Sequence, residues 1–188
     1  GQGLIMTTTA VLLNPNRNPG LSQEDCERQL REALGAEQIL WLPGGLCGDD
    51  TDGHIDTLAR FCAADTVLAI RDDDPWSPNY QILRDNFRRL QEFRLLSGAR
   101  LQVVPLPCPK SIRPQGWRTD ILPASYANFL IVNSAVLVPT YRQDDTDQLS
   151  LDIIGQAFPG RAVVPVDCYD IIWEGGALHC LSQQEVAP

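Results

Sequence analysis

Residues 66–106 read TVLAIRDDDPWSPNYQILRDNFRRLQEFRLLSGARLQVVPL. The apolar, β-branched run at 66–71 predicts a buried strand, and 101–106 predicts another. Between them, residues 78–96 predict a long helix whose buried face carries Leu83, Phe87, Leu90 and Phe93 at helical spacing. The stretch therefore predicts a strand–helix–strand unit.

The same order occurs in two other parts of the chain. The three predicted helices begin near residues 22, 79 and 146, which indicates a repeat of roughly 55 to 70 residues whose units are too small to fold alone. A single open sheet of ordinary βαβ units is the alternative that the pattern leaves open. The other predicted strands are 4–13, 38–42, 57–62, 128–133, 135–139 and 161–166, and the other helices are 22–35, with a stripe of Cys26, Leu30, Ala33 and Leu34, and 144–158.

Composition limits the class of function. Of the 188 residues, 44% are hydrophobic and 21% charged, which is ordinary for a folded globule, and no apolar run reaches the roughly 18 residues that span a bilayer. A soluble, cytoplasmic protein without membrane contact is expected. The net charge of −9 argues against a nucleic-acid partner and is compatible with a cationic small substrate. The six cysteines are widely spaced and predict free thiols.

Two short segments carry the candidate catalytic residues. Residues 49–56 read DDTDGHID and place four carboxylates around His54, and a loop that enters a strand would put His54 and Asp56 on one side. In an extended segment His179 and Cys180 would face opposite ways, so His54 is predicted to be the imidazole that serves Cys180. Gly175 and Gly176 leave room beside the thiol for close approach of a substrate.

This set of residue types suits attack on a planar cationic carbon such as that of a guanidinium group. A carboxylate can bind the N–H groups, a thiolate can add to the carbon, and a histidine can move the protons, so neither a metal nor an organic cofactor is predicted. Other interpretations are common for such residues: a lone cysteine is often a small buried hydrophobe, and an acidic run is often a solvated turn. A metal site of Cys47, His54, Asp56 and Cys62 fits no common zinc spacing.

Taken together, the motifs resemble those of the agmatine deiminases, in the pentein superfamily of guanidino-group-modifying enzymes. The similar segments are WLP at 41–43, DTDGHID at 50–56, GGALHCLSQQ at 175–184, LLNPNRNP at 12–19 and SYANF at 125–129 through Val138-Pro139. The resemblance implies an α/β propeller of ββαβ units that hydrolyses agmatine to N-carbamoylputrescine and ammonia. It also implies that Cys180 is the nucleophile, His54 the general acid/base, Asp56 a guanidinium-binding carboxylate and Asp50 a ligand of the distal amine.

The chain departs from that family in length. Members have about twice as many residues and five units, so the resemblance predicts three units, at 3–45, 55–107 and 125–182, with the N-terminal units and their substrate carboxylates absent. We therefore expect little agmatine hydrolysis unless another chain completes the site, as a homodimer or a separate N-terminal half. Two other functions stay open: a non-catalytic binding or dimerising module, and a peptidyl-arginine or arginine deiminase.

Overall fold

The computed structural model describes residues 3–185 and contains eight strands and four α-helices within that range. The strands are β1 (Leu4–Thr8), β2 (Gln38–Leu42), β3 (Ala59–Phe61), β4 (Thr66–Arg71), β5 (Gln102–Pro107), β6 (Leu130–Ile131), β7 (Ala135–Thr140) and β8 (Ala162–Asp167). The helices are α1 (Thr9–Leu12), α2 (Gln23–Leu34), α3 (Tyr80–Glu92) and α4 (Asp144–Ala157), and two 3₁₀ turns lie at Ile55–Thr57 and Ile171–Glu174.

The strands form three separate sheets, and each sheet contains a parallel strand pair connected through a helix. In the second sheet β3 pairs antiparallel with β4, which pairs parallel with β5 across α3; the third sheet repeats this with β6, β7 and β8 across α4. The first sheet contains the parallel pair β1–β2 across α2. The repeat is confirmed, and the single open sheet is wrong. The proposed unit boundaries stay a prediction.

Local sequence signals explain both ends of α2. Ser22 caps α2 in a capping box with Asp25, and Gly35 ends that helix in the left-handed conformation. Strands β2 and β4 have the predicted bounds, whereas β1 stops at Thr8 instead of residue 13. The Thr8 hydroxyl accepts a hydrogen bond from the Val11 amide and begins α1, a capping contact that a strand could not make.

Burial is uneven among the helices. The face of α3 is buried at Leu83 and Leu90, with Phe87 and Phe93 partly buried, as predicted. The apolar stripe of α2 is largely exposed: Cys26 is its only buried member, and Leu34 is 66% exposed. A periodic stripe on a helix indicates which face can be buried, and the neighbours in the fold decide whether it is.

The larger core cluster lies between the second and third sheets and supports the segment 121–129, which is buried throughout. The Ser125 hydroxyl donates to the Thr57 carbonyl at 2.6 Å, and the Tyr141 hydroxyl donates to the Ser125 carbonyl at 3.0 Å. The first bond ties 125–129 to the 3₁₀ turn at Ile55–Thr57, and the second ties it to the residue that follows β7. Among the described residues, no helix is both long and apolar enough to cross a bilayer.

Candidate active site

Cys180 lies in a tight turn that follows the second 3₁₀ turn. The Leu181 amide donates to the Ala177 carbonyl at 3.2 Å, and the Ser182 amide donates to the His179 carbonyl at 3.0 Å. The prediction that His179 faces away from Cys180 is wrong, because this segment is turned and not extended. Consecutive side chains in a helical turn diverge by about 100° instead of 180°, so both can reach one pocket.

The His179 and Cys180 side chains both contact the Asp56 carboxylate. Asp56 Oδ2 lies 2.6 Å from His179 Nδ1 and 3.5 Å from Cys180 Sγ. Asp56 is 13% exposed and His179 26%, so solvent screens this contact only in part. Asp56 Oδ1 is buried and has no hydrogen-bond partner among the described residues, which leaves the carboxylate with unused acceptor capacity.

Asn128, which is not among the predicted site residues, completes this group. Its side-chain amide donates from Nδ2 to Cys180 Sγ at 3.1 Å and to Asp56 Oδ2 at 3.2 Å. Asn128 is 1% exposed and sits among the apolar residues of 125–129. An asparagine inside a largely apolar run is a usable signal, since buried polar side chains need partners. Asp56, Asn128, His179 and Cys180 are called the inner cluster below.

His54 lines the same pocket as the inner cluster. It precedes the 3₁₀ turn that carries Asp56, so the predicted loop entering a strand is wrong although both side chains do line one pocket. The backbone before it is closely packed: a Cβ atom on Gly45 would lie 2.2 Å from the Gly53 Cα. The Thr8 hydroxyl also donates to the Gly53 carbonyl at 2.6 Å. These contacts fix where the His54 loop enters the pocket.

A second polar group, called the rim below, consists of Asp50, Trp117, Arg118 and Glu174. Arg118 lies 3.3 Å from Asp50 and 3.7 Å from Glu174, and the Trp117 indole donates to the Trp173 carbonyl at 2.8 Å. The rim adjoins the pocket because Glu174 and Gly175 line it, and a Cβ on Gly175 would lie 2.7 Å from Asp50 Oδ1. The proline-rich loop that follows β5, residues 108–123, carries Trp117 and Arg118 and thus reaches the site.

The pocket has a volume of about 530 Å³, and its lining includes Gly175 and Gly176. A Cβ on Gly176 would lie 2.5 Å from the Cys180 Cβ, so glycine is needed there for the thiol to keep its place. All the predicted site residues except Asp50 line the pocket itself; their roles stay predictions. Within residues 3–185, no group of three His, Cys, Asp or Glu side chains is arranged to hold a metal ion.

The environment moves two pKa values in opposite directions. Burial would raise the pKa of Asp56, but the hydrogen bond from His179 and the nearby histidine charges outweigh it and hold that pKa below its ordinary value. Cys180 is exposed as a residue, yet partial burial of its sulfur, together with the Asp56 charge, raises the pKa of the thiol to about 11. At neutral pH the thiol is therefore protonated unless a cation lies beside it.

Comparison with known proteins finds relatives that are named agmatine deiminases. A protein of Legionella pneumophila (strain Paris), named "Putative agmatine deiminase", is 39% identical over 185 residues, which cover 98% of this chain and 53% of that protein. The solved agmatine deiminase of Enterococcus faecalis is 36% identical with a TM-score of 0.91, and the match covers 98% of this chain and 54% of that one. A cysteine-to-serine variant of the C. jejuni agmatine deiminase with substrate bound is 34% identical, with a TM-score of 0.86 and coverage of 95% and 51%.

These matches confirm the pentein fold, an α/β propeller of repeated units, and the predicted resemblance. The chain spans about half the length of the curated relatives it matches. The model of one family, the Porphyromonas-type peptidyl-arginine deiminases, matches residues 1–185. The chain therefore belongs to the Porphyromonas-type peptidyl-arginine deiminase family.

Proposed function

We propose that this chain supplies the cysteine side of a site that hydrolyses agmatine to N-carbamoylputrescine and ammonia through a covalent cysteine intermediate. The observation that carries the proposal is the 3.5 Å contact between the Cys180 sulfur and the Asp56 carboxylate, in a pocket that His54 also lines. A guanidinium group needs an anion to bind its N–H groups and a nucleophile at its carbon, and both are adjacent here.

Each of the three residues has its own role in the proposed reaction. Asp56 accepts N–H groups of the guanidinium and holds its carbon beside Cys180. The Cys180 thiol gives its proton to His54 as the sulfur adds to that carbon. The carbon–nitrogen bond to a terminal nitrogen then breaks, and His54 passes this proton to that nitrogen, which leaves as ammonia. Water, deprotonated by His54, then attacks the S-linked carbon; the carbon–sulfur bond breaks, the urea-type product leaves, and Cys180 regains its proton.

The raised pKa of Cys180 favours a cationic substrate. In the free chain, burial and the Asp56 charge keep the thiol protonated. A guanidinium bound between Asp56 and the sulfur neutralises that carboxylate and stabilises the thiolate, so the nucleophile forms when the correct substrate is present. A neutral ligand of the same shape lacks this effect. The arrangement thereby selects for charge at the reacting end of the ligand.

The distal end of agmatine carries an amine, and the rim supplies the carboxylates that suit it. Asp50 and Glu174 are both paired with Arg118 in the free chain. We propose that the amine replaces Arg118 at Asp50, since exposed ion pairs of this kind exchange at little cost. Because the chain matches only about half of each relative, we also propose that further substrate contacts come from residues outside it.

A pair of alkylating reagents tests the proposal without requiring turnover. Chloroacetamidine is a cation that mimics the guanidinium, chloroacetamide is its neutral counterpart, and in both the cysteine sulfur displaces chloride. After correction for their rates at the exposed Cys47, we expect Cys180 to prefer the cationic reagent by about tenfold or more, measured by peptide mass spectrometry. Equal corrected rates would overturn the proposed pairing of Cys180 with Asp56.

Competition then identifies the substrate. Agmatine is expected to slow chloroacetamidine labelling of Cys180, whereas putrescine, which lacks the guanidinium, is not. Free arginine and an arginyl peptide serve as the other members of the panel. If the arginyl peptide protects Cys180 and agmatine does not, the agmatine assignment is wrong and the peptidyl-arginine reaction replaces it.

A further inference from the structure

Arg17 connects the loop that follows α1 to the turn that precedes His54. Its guanidinium donates from Nε to Asp52 Oδ2 at 2.9 Å and from a terminal nitrogen to the Thr51 carbonyl at 2.9 Å. A guanidinium holds two acceptors in one plane, so this contact has a fixed direction that a single point contact lacks. Arg17 therefore binds both a side chain and the main chain directly before His54.

The turn that Arg17 binds has an unusual backbone conformation. Asp52 has a φ of 68°, in the left-handed region, and Gly53 follows with a φ of 90°. A residue with a Cβ atom adopts this conformation at a cost, because the Cβ approaches a neighbouring carbonyl oxygen, although Asp and Asn tolerate it better than other residues. Such a conformation persists when surrounding contacts hold it, and the Arg17 guanidinium provides two of them.

The loop that carries Arg17 is braced by its own hydrogen bonds. The Arg17 and Asn18 amides both donate to the Asn14 carbonyl at 3.0 Å. The Asn18 side chain also donates to the carbonyl of Leu12, the last residue of α1, at 2.8 Å. Because α1 directly follows β1, these bonds fix the position of the guanidinium relative to the first sheet.

The backbone of His54 is held on its other side as well. The Thr57 hydroxyl donates to the His54 carbonyl at 2.9 Å. His54 is partly buried and lines the pocket together with Asp56 and Cys180. A displacement of about 1 Å in a catalytic group can cost about a hundredfold in rate, so the direction in which this turn leads the imidazole matters.

We propose that Arg17 is a positioning residue for His54: by holding Asp52 in the left-handed conformation, it fixes the turn that directs the imidazole into the pocket. Arg17 acts through the backbone and not on the reacting atoms. Its role in catalysis rests on the proposed function of His54, whereas its effect on the position of the imidazole can be measured without a substrate.

The test is modification of histidine by diethyl pyrocarbonate, which acylates an accessible imidazole nitrogen. The sequence contains two histidines, so peptide mass spectrometry gives a rate for His54 and an internal reference rate for His179. In Arg17→Ala we expect His54 to react about threefold faster or more, because a loosened turn exposes the ring, with His179 unchanged. Arg28→Ala is the matched control, since it breaks another arginine–aspartate pair, with Asp25, and should change neither rate.

Two substitutions at Asp52 separate backbone conformation from charge. Asp52→Asn and Asp52→Val both remove the carboxylate, but Asn keeps an acceptor oxygen and tolerates the left-handed conformation, which a β-branched residue does not. We expect Asp52→Asn to keep the wild-type rate at His54 and Asp52→Val to react as fast as Arg17→Ala. Equal rates in the Asn and Val variants would overturn the proposal, because the conformation of residue 52 would then not matter.

A wild-type rate at His54 in a folded Arg17→Ala chain would also overturn the proposal, and so would an equal rise at both histidines, which indicates general loosening. Urea denaturation establishes that each variant is folded. If Arg17→Ala does not fold, the two Asp52 variants decide the question by the same criteria. Faster modification of His54 together with failed protection of Cys180 by agmatine would support the positioning role and reject the proposed substrate alone.

Discussion

The inner cluster and the rim lie side by side, and both combine carboxylates with cationic or donor groups, yet they are held differently. In the inner cluster Asp56 and His179 are 13% and 26% exposed and 2.6 Å apart. In the rim Asp50 and Arg118 are 50% and 48% exposed and 3.3 Å apart, and Glu174 is 71% exposed. Buried hydrogen bonds fix a geometry, whereas exposed ion pairs are screened and exchange readily. We infer that the inner cluster performs chemistry and the rim adapts to the ligand.

The largest effect is expected from removing the support behind the inner cluster. Buried Asp147 accepts hydrogen bonds from the Tyr126 hydroxyl at 2.6 Å and from the Tyr141 and Gln143 amides. Asp147→Ala leaves these donors without a partner and should lower the free energy of unfolding by about 3 kcal/mol, measured by urea denaturation. The control is Asp152→Ala on the same helix, where an exposed carboxylate accepts a hydrogen bond from the Gln148 side chain. Equal losses in both variants would contradict the prediction.

The second-largest effect is expected from filling the space beside the Cys180 thiol. In Gly176→Ala the new methyl group would lie 2.5 Å from the Cys180 Cβ and 2.8 Å from its sulfur, so the turn must move. We expect a loss of about 2 kcal/mol in unfolding free energy, typical of overpacking, and slower labelling of Cys180 by chloroacetamidine.

Gly155→Ala is the matched control for this substitution, because Gly155 lies in α4 and its new methyl group would be 3.4 Å from the Val163 side chain in β8, an ordinary contact distance. Alanine is the better helix former, so that variant should be neutral or slightly more stable. Unchanged labelling in Gly176→Ala would show that the inner cluster tolerates displacement of the turn, and the contrast with the rim would be weaker.

A smaller effect is expected from charge inside the cluster. The Asp56 carboxylate disfavours the Cys180 thiolate, so Asp56→Asn should lower the pKa of Cys180 from about 11 and move the alkylation midpoint to lower pH. At pH 8 iodoacetamide should then react several-fold faster, a change of about 1 kcal/mol. Asp52→Asn, which removes a carboxylate paired with Arg17, should leave the rate unchanged. Slower alkylation in Asp56→Asn would contradict this prediction, because it would show that the carboxylate favours the thiolate.

The smallest effect is expected at the rim. Arg118→Ala removes two exposed ion pairs and a contact over the Trp117 ring, at 5.3 Å from its centroid. Such pairs contribute about 0.5 kcal/mol, so the urea midpoint should barely change. Arg142→Ala, which breaks exposed pairs with Asp167 and Asp170, is the comparison variant. A loss of several kcal/mol in Arg118→Ala alone would show that the rim is structural and cannot exchange partners.

Much of the fold followed from local patterns. Strands 38–42 and 66–71 were predicted at their observed bounds, and Ser22 and Gly35 marked both ends of α2. These signals depend on periodicity, capping and conformational freedom, which are properties of neighbouring residues. The end of β1 was predicted wrongly, and the sequence did not indicate that most of the α2 stripe is exposed, because burial and pairing depend on which elements come to lie alongside.

The site also divides into residues that local patterns predicted and residues that only the tertiary contacts brought in. The sequence by itself predicted Cys180, His54, Asp56 and the glycine pair as site residues, since their types and spacing form recognisable motifs, and all of them line one pocket. Only the tertiary structure brought His179 and Asn128 to them. A turn in place of a strand rotated His179 toward Asp56, and the buried 125–129 segment carried Asn128 to the sulfur. Residue type determines which chemistry a side chain can perform, whereas the direction it faces depends on backbone conformation and on contacts distant in sequence.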